Sequence, residues 1–326
     1  MSRILLLALL ALLAGGCATL PQQSGDAIAV TTRAVPLDAS DPKRETVGRL
    51  RYLGGLELDS LNGRLGGMSS LKWRDGLLYA VSDIGDWFTI LPVERGGRLT
   101  GARVTAAGDL LAADGAELQG YLIGDAEGLA PDGDGGWLVS FEHEHKLLRY
   151  VRLGALAQES GLKPVELFGP LEENNGIEAI ARRDGRTFLC AERLATAAAA
   201  NCQLRTAGGV EQVRLTGPEG LDPNTAFPVD ADFAADGTLY VLFRSWSGGS
   251  DNRGAIVARS PAGEMTTIAT FVKPMTLDNY EGLALREEGG RTFLYIVSDE
   301  NFRQYNDPAK PETWQHTYLM KFELLG

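Results

Sequence analysis

A hairpin of one design recurs along this chain at intervals of roughly fifty residues. Each copy opens with a polar or acidic residue on a short apolar strand, turns at a corner that is Asp-Gly in most copies, and returns along a second apolar strand ending in a charge. The copies run Ser69-Ser-Leu-Lys-Trp to Asp83, Glu127-Gly-Leu-Ala to Glu142, Glu178-Ala-Ile-Ala to Glu192, Asp230-Ala-Asp-Phe to Arg244, and Glu281-Gly-Leu-Ala to Asp299. Asp-Gly between apolar runs marks a tight turn, because glycine takes the positive φ that such turns need. Units of this length with several short strands each specify a β-propeller, in which radial stacking buries the faces that no single unit can bury alone.

The pattern predicts an all-β fold, a single β-propeller of five four-stranded blades over residues 27–326. In the second unit the strands fall near 126–130, 136–142, 146–153 and 163–168; in the fourth, near 229–233, 238–244, 254–259 and 264–272. β-Branched and aromatic residues fill these runs, with Gly, Pro, Asp and Asn between them. The last unit has two clear strands and a third at Thr317–Leu324. Its outer strand is expected from the N-terminal run Gly48–Leu58, a closure that removes exposed sheet edges. That leaves the strand-like Ala27–Leu37 as an additional outer strand or as part of an irregular sixth blade. The alanine-rich Leu194–Ala200 is too short to be a stable helix by itself and reads as a loop with one helical turn.

A formal charge of −12 argues against nucleic acid as a partner, since phosphate contacts need clustered Lys and Arg. Upstream of the repeats, Arg3 precedes an apolar run, Ile4–Leu13, that is too short to span a bilayer and matches a signal-peptide core. The run leads into Ala14-Gly15-Gly16-Cys17, which resembles a bacterial lipoprotein box. Residues 1–16 then read as a cleaved signal, Cys17 as the acylated residue and residues 17–26 as a polar tether. The expected location is the bacterial cell envelope, facing the periplasm or the exterior, with membrane contact only through that lipid. Export would hold Cys190 and Cys202 where disulfides persist. The two either staple the loop between their strands or stay as partly buried thiols.

In an antiparallel hairpin, the start of the first strand and the end of the second share one edge. With first strands lining the channel, one mouth gathers Ser69, Glu127, Glu178, Asp230 and Glu281 from them. From the second-strand ends it gathers Asp83, Glu142, Glu192, Arg244 and Asp299. Crowded carboxylates raise one another's pKa unless something neutralises them. Ca²⁺ accepts several at flexible geometry, which makes Glu127, Glu178, Asp230, Glu281, Asp83 and Asp299 the expected ligands. Asn175, Asp278 and Asn279 are expected as further oxygen donors. The alternative is an inter-blade clasp, each carboxylate accepting backbone N–H groups of the next blade without any ion. No Gly-x-Ser-x-Gly elbow, P-loop or His-Glu-x-x-His helix occurs. His143 and His145, two apart, are expected on one side of a strand end, where they either bind a metal or an anionic ligand or stand in solvent.

Several stretches are distinctive when taken together. They are Gly66-Gly-Met-Ser-Ser-Leu with Tyr79-Ala-Val-Ser-Asp83, and Asp125-Ala-Glu-Gly-Leu-Ala-Pro-Asp with Ser140-Phe-Glu-His-Glu-His145. Asn174-Asn-Gly-Ile-Glu-Ala-Ile, Asp278-Asn-Tyr-Glu-Gly-Leu-Ala and Ile296-Val-Ser-Asp-Glu-Asn-Phe302 complete the set. In these the chain resembles the phytase-like domain family, named for an esterase-like activity of phytase. The resemblance implies a propeller, often in exported bacterial proteins; alkaline phytases are themselves calcium-dependent propellers. Two functions follow. One is a cation-dependent hydrolase of a small phosphoester or carboxylic ester, with Glu142 or Glu192 taking a proton from water and Arg244 stabilising negative charge. The other is a non-catalytic envelope lipoprotein that binds a ligand or partner, with Trp87, Trp246 and Tyr280 as exposed anchors.

Overall fold

Five short strands stand around a common axis: Met68–Arg74, Ala126–Asp132, Ile177–Arg183, Phe227–Phe233 and Asn279–Glu288. Each packs against its neighbour, and the fifth against the first, so the ring closes. A computed structural model describes residues 25–196, 199–246, 251–304, 306–310 and 314–326. The expected signal segment, the acylation site at Cys17 and the tether through residue 24 lie outside those residues. From each inner strand an antiparallel sheet meanders outward, which gives the five-bladed propeller that the repeat predicts.

The core lies between blades, which is why single units cannot stand alone. Leu71, Leu78 and Phe88 of blade 1 meet Tyr295, Val297 and Leu319 of blade 5. Phe188 and Val213 of blade 3 meet Phe233, Val241 and Phe243 of blade 4. Within blade 3, Cys190 and Cys202 face each other across paired strands and are bridged, with Cα atoms 4.0 Å apart.

Closure uses both ends of the chain. Leu50–Asp59 pairs with Thr317–Leu324 and supplies the outer strand that blade 5 lacks. At the seam with blade 1, Lys321 Nζ reaches Glu94 Oε1 at 2.8 Å and donates to Gly97 O at 2.9 Å. The run Ala27–Leu37 divides between two blades. Asp26–Ile28 extends blade 1 and Thr31–Val35 extends blade 5, so no sixth blade forms among the described residues.

One local expectation is corrected. The stretch near 163–168 is a short helix, Pro164–Phe168; proline cannot donate to a ladder but suits a first helical turn. Blade 2 takes the two-residue strand Gln158–Glu159 as its outer edge instead. The described residues of Leu194–Ala200 carry no helix.

At the axis, Asp230 ties four inner strands together. Its Oδ2 accepts from Leu283 N at 2.8 Å, Leu71 N at 3.1 Å and Ser70 Oγ at 3.0 Å, while Oδ1 takes Lys72 Nζ at 2.5 Å. Ser70 Oγ in turn accepts from Leu129 N at 3.1 Å. Lys72 and Asp230 are both excluded from solvent. Removing one partner strands a buried charge, so Asp230→Ala should cost about 3–5 kcal/mol in chemical denaturation. Adding Lys72→Met should recover part of that loss. An unchanged midpoint in Asp230→Ala would show that the knot does not hold the ring.

Candidate functional site

Every inner strand is irregular near its start. Pairing with the second strand slips between Met68 and Ser70, Ala126 and Gly128, Ile177 and Ile180, Pro228 and Asp230, and Tyr280 and Gly282. Such a bulge leaves one residue out of the ladder and re-aims its side chain. The residues left over are Ser69, Glu127, Val229 and Glu281; in blade 3 the slip spans Glu178–Ala179.

This corrects the expectation for Asp230. In blade 4 the bulge falls on Val229, and Asp230, one place later, takes the other face and turns to the axis. Ser69 is buried with its Oγ donating to Gly67 O at 3.2 Å, and it gives nothing to the mouth. The other eight expected positions come together. Asp83, Glu127, Glu142, Glu178, Glu192, Arg244, Glu281 and Asp299 all line one basin of about 560 Å³.

Asp125, Tyr121, His143, Asn174, Asn301 and Gln304 also line the basin, outside the ten positions that the repeat brings together. The available signal for Asp125 was its spacing of two from Glu127, which puts both on one side of an extended chain. Among the expected oxygen donors, Asn279 does line the basin, its Nδ2 donating to Glu281 Oε1 at 2.6 Å. Asp278 instead accepts from His316 N at 2.7 Å, and Asn175 Nδ2 donates to Asn174 O at 2.7 Å in an exposed position. His143 and His145 do not extend a strand; both sit in left-handed backbone, with φ of 52° and 43°. Trp87 and Tyr280 are fully buried and cannot anchor a partner, whereas Trp246 is exposed.

Two carboxylate triads overlap at Glu142. Asp125, Glu127 and Glu142 form one, Glu142, Glu178 and Glu192 the other, and in each the oxygens lie within 4.8 Å of one another. The Gly176 N–H fixes Glu142 Oε1 at 2.6 Å, and glycine is needed there because a Cβ would sit 2.7 Å from Glu142 Cγ. Beyond Asp299 the chain makes a left-handed turn, Asn301, Phe302 and Arg303 having φ of 49°, 47° and 59°. Three such residues in a row are costly and persist only where surroundings hold them. Asn301 N donates to Asp299 Oδ1 at 2.6 Å, and Arg303 Nη2 bonds Asp59 Oδ1 at 2.7 Å. The Phe302 ring lies where side chains at Gly66 and Gly67 would clash, which accounts for that glycine pair.

The mouth is electrostatically divided. Arg244 Nη2 bonds Glu192 Oε1 at 3.1 Å, and its Nε lies 3.4 Å from Glu281 Oε1. Burial opposes the guanidinium charge, but Glu281, Glu192, Glu178 and Glu127 outweigh it and raise its pKa. On the other side, Asp83 Oδ1 and Asp125 Oδ1 are buried without hydrogen-bond partners. His143 Nε2 stands 3.2 Å from Asp125 Oδ2. Burial, then Glu281, Asp125 and Glu300, push Asp83 up to about 8. Burial pushes Glu142 to about 8 as well, with Glu192 and Asp125 adding to it against the Gly176 N–H and Arg244. Burial and neighbouring carboxylates hold Glu127, Glu178 and Asp299 well above the usual range. An all-oxygen donor set with orphaned buried carboxylate oxygens fits a hard divalent cation.

The sequence pattern of the family described as "Phytase-like: Esterase-like activity of phytase" matches residues 63–302. No curated protein matches the chain in sequence. Among solved structures, RS223-β-xylosidase is 13% identical, with a TM-score of 0.43 over 84% of this chain and 94% of its own. A Bombyx mori GH32 β-fructofuranosidase is 12% identical, with a TM-score of 0.42 over 80% of this chain and 60% of its own. A Xanthomonas campestris gluconolactonase is 10% identical, with a TM-score of 0.39 over 89% of this chain and 97% of its own. Likeness of this degree assigns neither substrate nor reaction.

The raised carboxyls make stability depend on pH. A carboxyl whose folded pKa lies above its unfolded value loses its stabilising contribution as pH rises through the folded value. For Asp83 and Glu142 that loss runs from the ordinary carboxylate range up to about 8. Chelator-treated protein should therefore melt at progressively lower temperature between mildly acid and alkaline buffers. Glu142→Gln should flatten the profile, and a flat profile in the unaltered chain would contradict the charge crowding.

Proposed function

The chain belongs to the phytase-like family, and on that footing we propose that it is a cation-dependent ester hydrolase working in the acidic mouth, on a phosphoester or a carboxylic ester. The observation that carries this reading is the division of the mouth by Arg244. One half has its negative charge met by a guanidinium, and the other keeps buried carboxylate oxygens without partners.

Asp125, Glu127 and Glu142 are the residues that would hold the cation, with Ca²⁺ as the candidate because hard carboxylate oxygens at flexible spacing suit it. A cation held there supplies Lewis-acid polarisation of the ester oxygen. The remaining pair, Glu178 and Glu192, lies close enough to share a hydrogen bond, so one member keeps a proton while the other is ionised. Arg244 favours the ionised form of Glu192, which places the base there and the acid at Glu178. Glu192 takes a proton from water as the water oxygen bonds the carbonyl carbon or phosphorus. The bond to the leaving alcohol breaks, and Glu178 returns a proton to the alkoxide. Arg244 lies beside the developing negative charge.

The proposed setting is the bacterial cell envelope, with the chain tethered through an acylated Cys17. Radiolabelled palmitate should enter the protein in cells and be lost in Cys17→Ser; equal labelling of both would remove the anchor.

Calcium should raise the melting temperature of chelator-stripped protein, since a ligand at a hundredfold excess over its Kd stabilises by about 2.7 kcal/mol. Asp125→Asn should abolish most of the rise. Turnover of p-nitrophenyl phosphate or p-nitrophenyl acetate should appear with calcium and stop on chelation. Glu192→Gln should slow it by about 10²–10⁴-fold, the usual contribution of a positioned base. Stabilisation without turnover of either substrate would point to the non-catalytic binding propeller. The absence of both effects would leave the carboxylates as clasps between blades.

A further inference from the structure

The chain enters the described fold at the mouth end of blade 1. Asp26 pairs with Ala107 and Ile28 with Val104, antiparallel to Arg98–Asp109, whose last residue lies on the mouth side. Gly25 sits against Trp87, and Trp87 Nε1 donates to Asp109 O at 3.2 Å. Two rim loops converge on the same spot. Arg64 Nη1 and Gln119 Nε2 both bond the carboxylates of Asp86 and Asp109. These loops carry a fully exposed Leu61 and an exposed turn of Tyr121, Leu122 and Ile123. Further round the same end, Trp314 and Trp246 are also exposed.

We propose that this rim is a bilayer-docking surface, with Leu61, Leu122 and Ile123 entering the lipid interface beside the point where the chain leaves for its anchor. The proposal rests on the acylated Cys17 and is independent of the hydrolase reading. Residues 18–24 separate Cys17 from Gly25, a reach of about 26–29 Å even when fully extended. From Gly108, level with Gly25, to Arg98 at the far end the strand Arg98–Asp109 runs ten residues, about 32–34 Å. A lipid at Cys17 therefore falls short of the opposite end and favours an orientation with the mouth end nearer the bilayer. Tyr and Trp are the aromatic residues that favour the boundary between lipid and water, and large apolar side chains gathered on one exposed rim mark a contact surface. The mouth is acidic, so apolar burial rather than charge drives the contact, and anionic lipid works against it. Docked in this way, the mouth opens toward material carried in or on the membrane.

Site-specific labels on the complete, lipid-bearing protein test this. With Cys17 acylated and Cys190 bridged to Cys202, a cysteine introduced by Leu122→Cys is the one free thiol for a nitroxide label. Ala262→Cys, on an exposed turn at the opposite end, serves as the reference. In phosphatidylcholine vesicles the label at 122 should collide several-fold more often with lipid-soluble oxygen than the label at 262. Adding phosphatidylglycerol should shrink that difference. Leu61→Cys gives the same reading by an independent route should the first variant misfold. Equal accessibility at 122, 61 and 262 in a lipid-bearing chain overturns docking and leaves the anchor standing. A mass without lipid overturns the anchor and docking together, and shielding of 122 by a soluble partner in the absence of vesicles makes the rim a protein interface instead.

Discussion

The ring depends on how five wedge-shaped sheets meet at a narrow axis, and one ion pair settles that meeting. Asp230 accepts from the backbones of blades 1 and 5 and from the Lys72 ammonium, and Ser70 passes the connection on to blade 2. The flanking positions are small, Gly128, Ala179 and Gly282, which lets the inner strands approach closely. A Cβ at Gly128 would lie 2.3 Å from Glu178 O, and one at Gly282 would lie 2.9 Å from Leu71 Cβ. One large polar pair surrounded by small residues fills a space that five large side chains could not share.

Much of this was legible in the sequence. Hairpins recur at a fixed period, and their apolar runs and Asp-Gly corners locate most inner and second strands to within a few residues. The outer strand from the N-terminal side was legible too, because the last unit lacked one. What the sequence hid was register. Glu127, Glu281 and Asp230 look equivalent in a string of letters, yet the bulge in blade 4 falls one residue earlier and sends Asp230 to the axis. A one-residue slip exchanges faces, and no local propensity announces it. Trp87 and Tyr280 show a related limit: polar neighbours in sequence suggest exposure, but both lie within strands that adjacent blades cover. Asp125 is visible only as part of a family-like motif, since its role depends on Glu142 and His143 arriving from the turn after Gly136–Phe141.

The mouth gains its character from asymmetry within a nearly fivefold frame. In four blades a carboxylate stands at or just past the end of the second strand, and in one Arg244 takes that place near the end of Leu239–Trp246. That exception meets the charge of Glu192 and Glu281 while leaving Asp83 and Asp125 with unpartnered oxygens. Perfect repetition would have made five equal carboxylate positions, with no direction built into the basin. Val229, apolar at the bulge of the same blade, strengthens the distinction. Blade 4 is thus the neutral and basic side of an otherwise acidic ring.

The closure of blade 5 has a consequence for when the site comes into being. Its outer strand, Leu50–Asp59, and its third strand, Thr317–Leu324, lie far apart in the sequence, so the blade that supplies Glu281 and Asp299 is completed only by pairing residues some 270 apart. Contacts of such long range form late, after the entropy of closing the loop has been met. The mouth is therefore not assembled piecemeal, blade by blade. The cluster of carboxylates takes shape only once that long-range pairing has been made, which makes it a property of the closed ring and of no single blade.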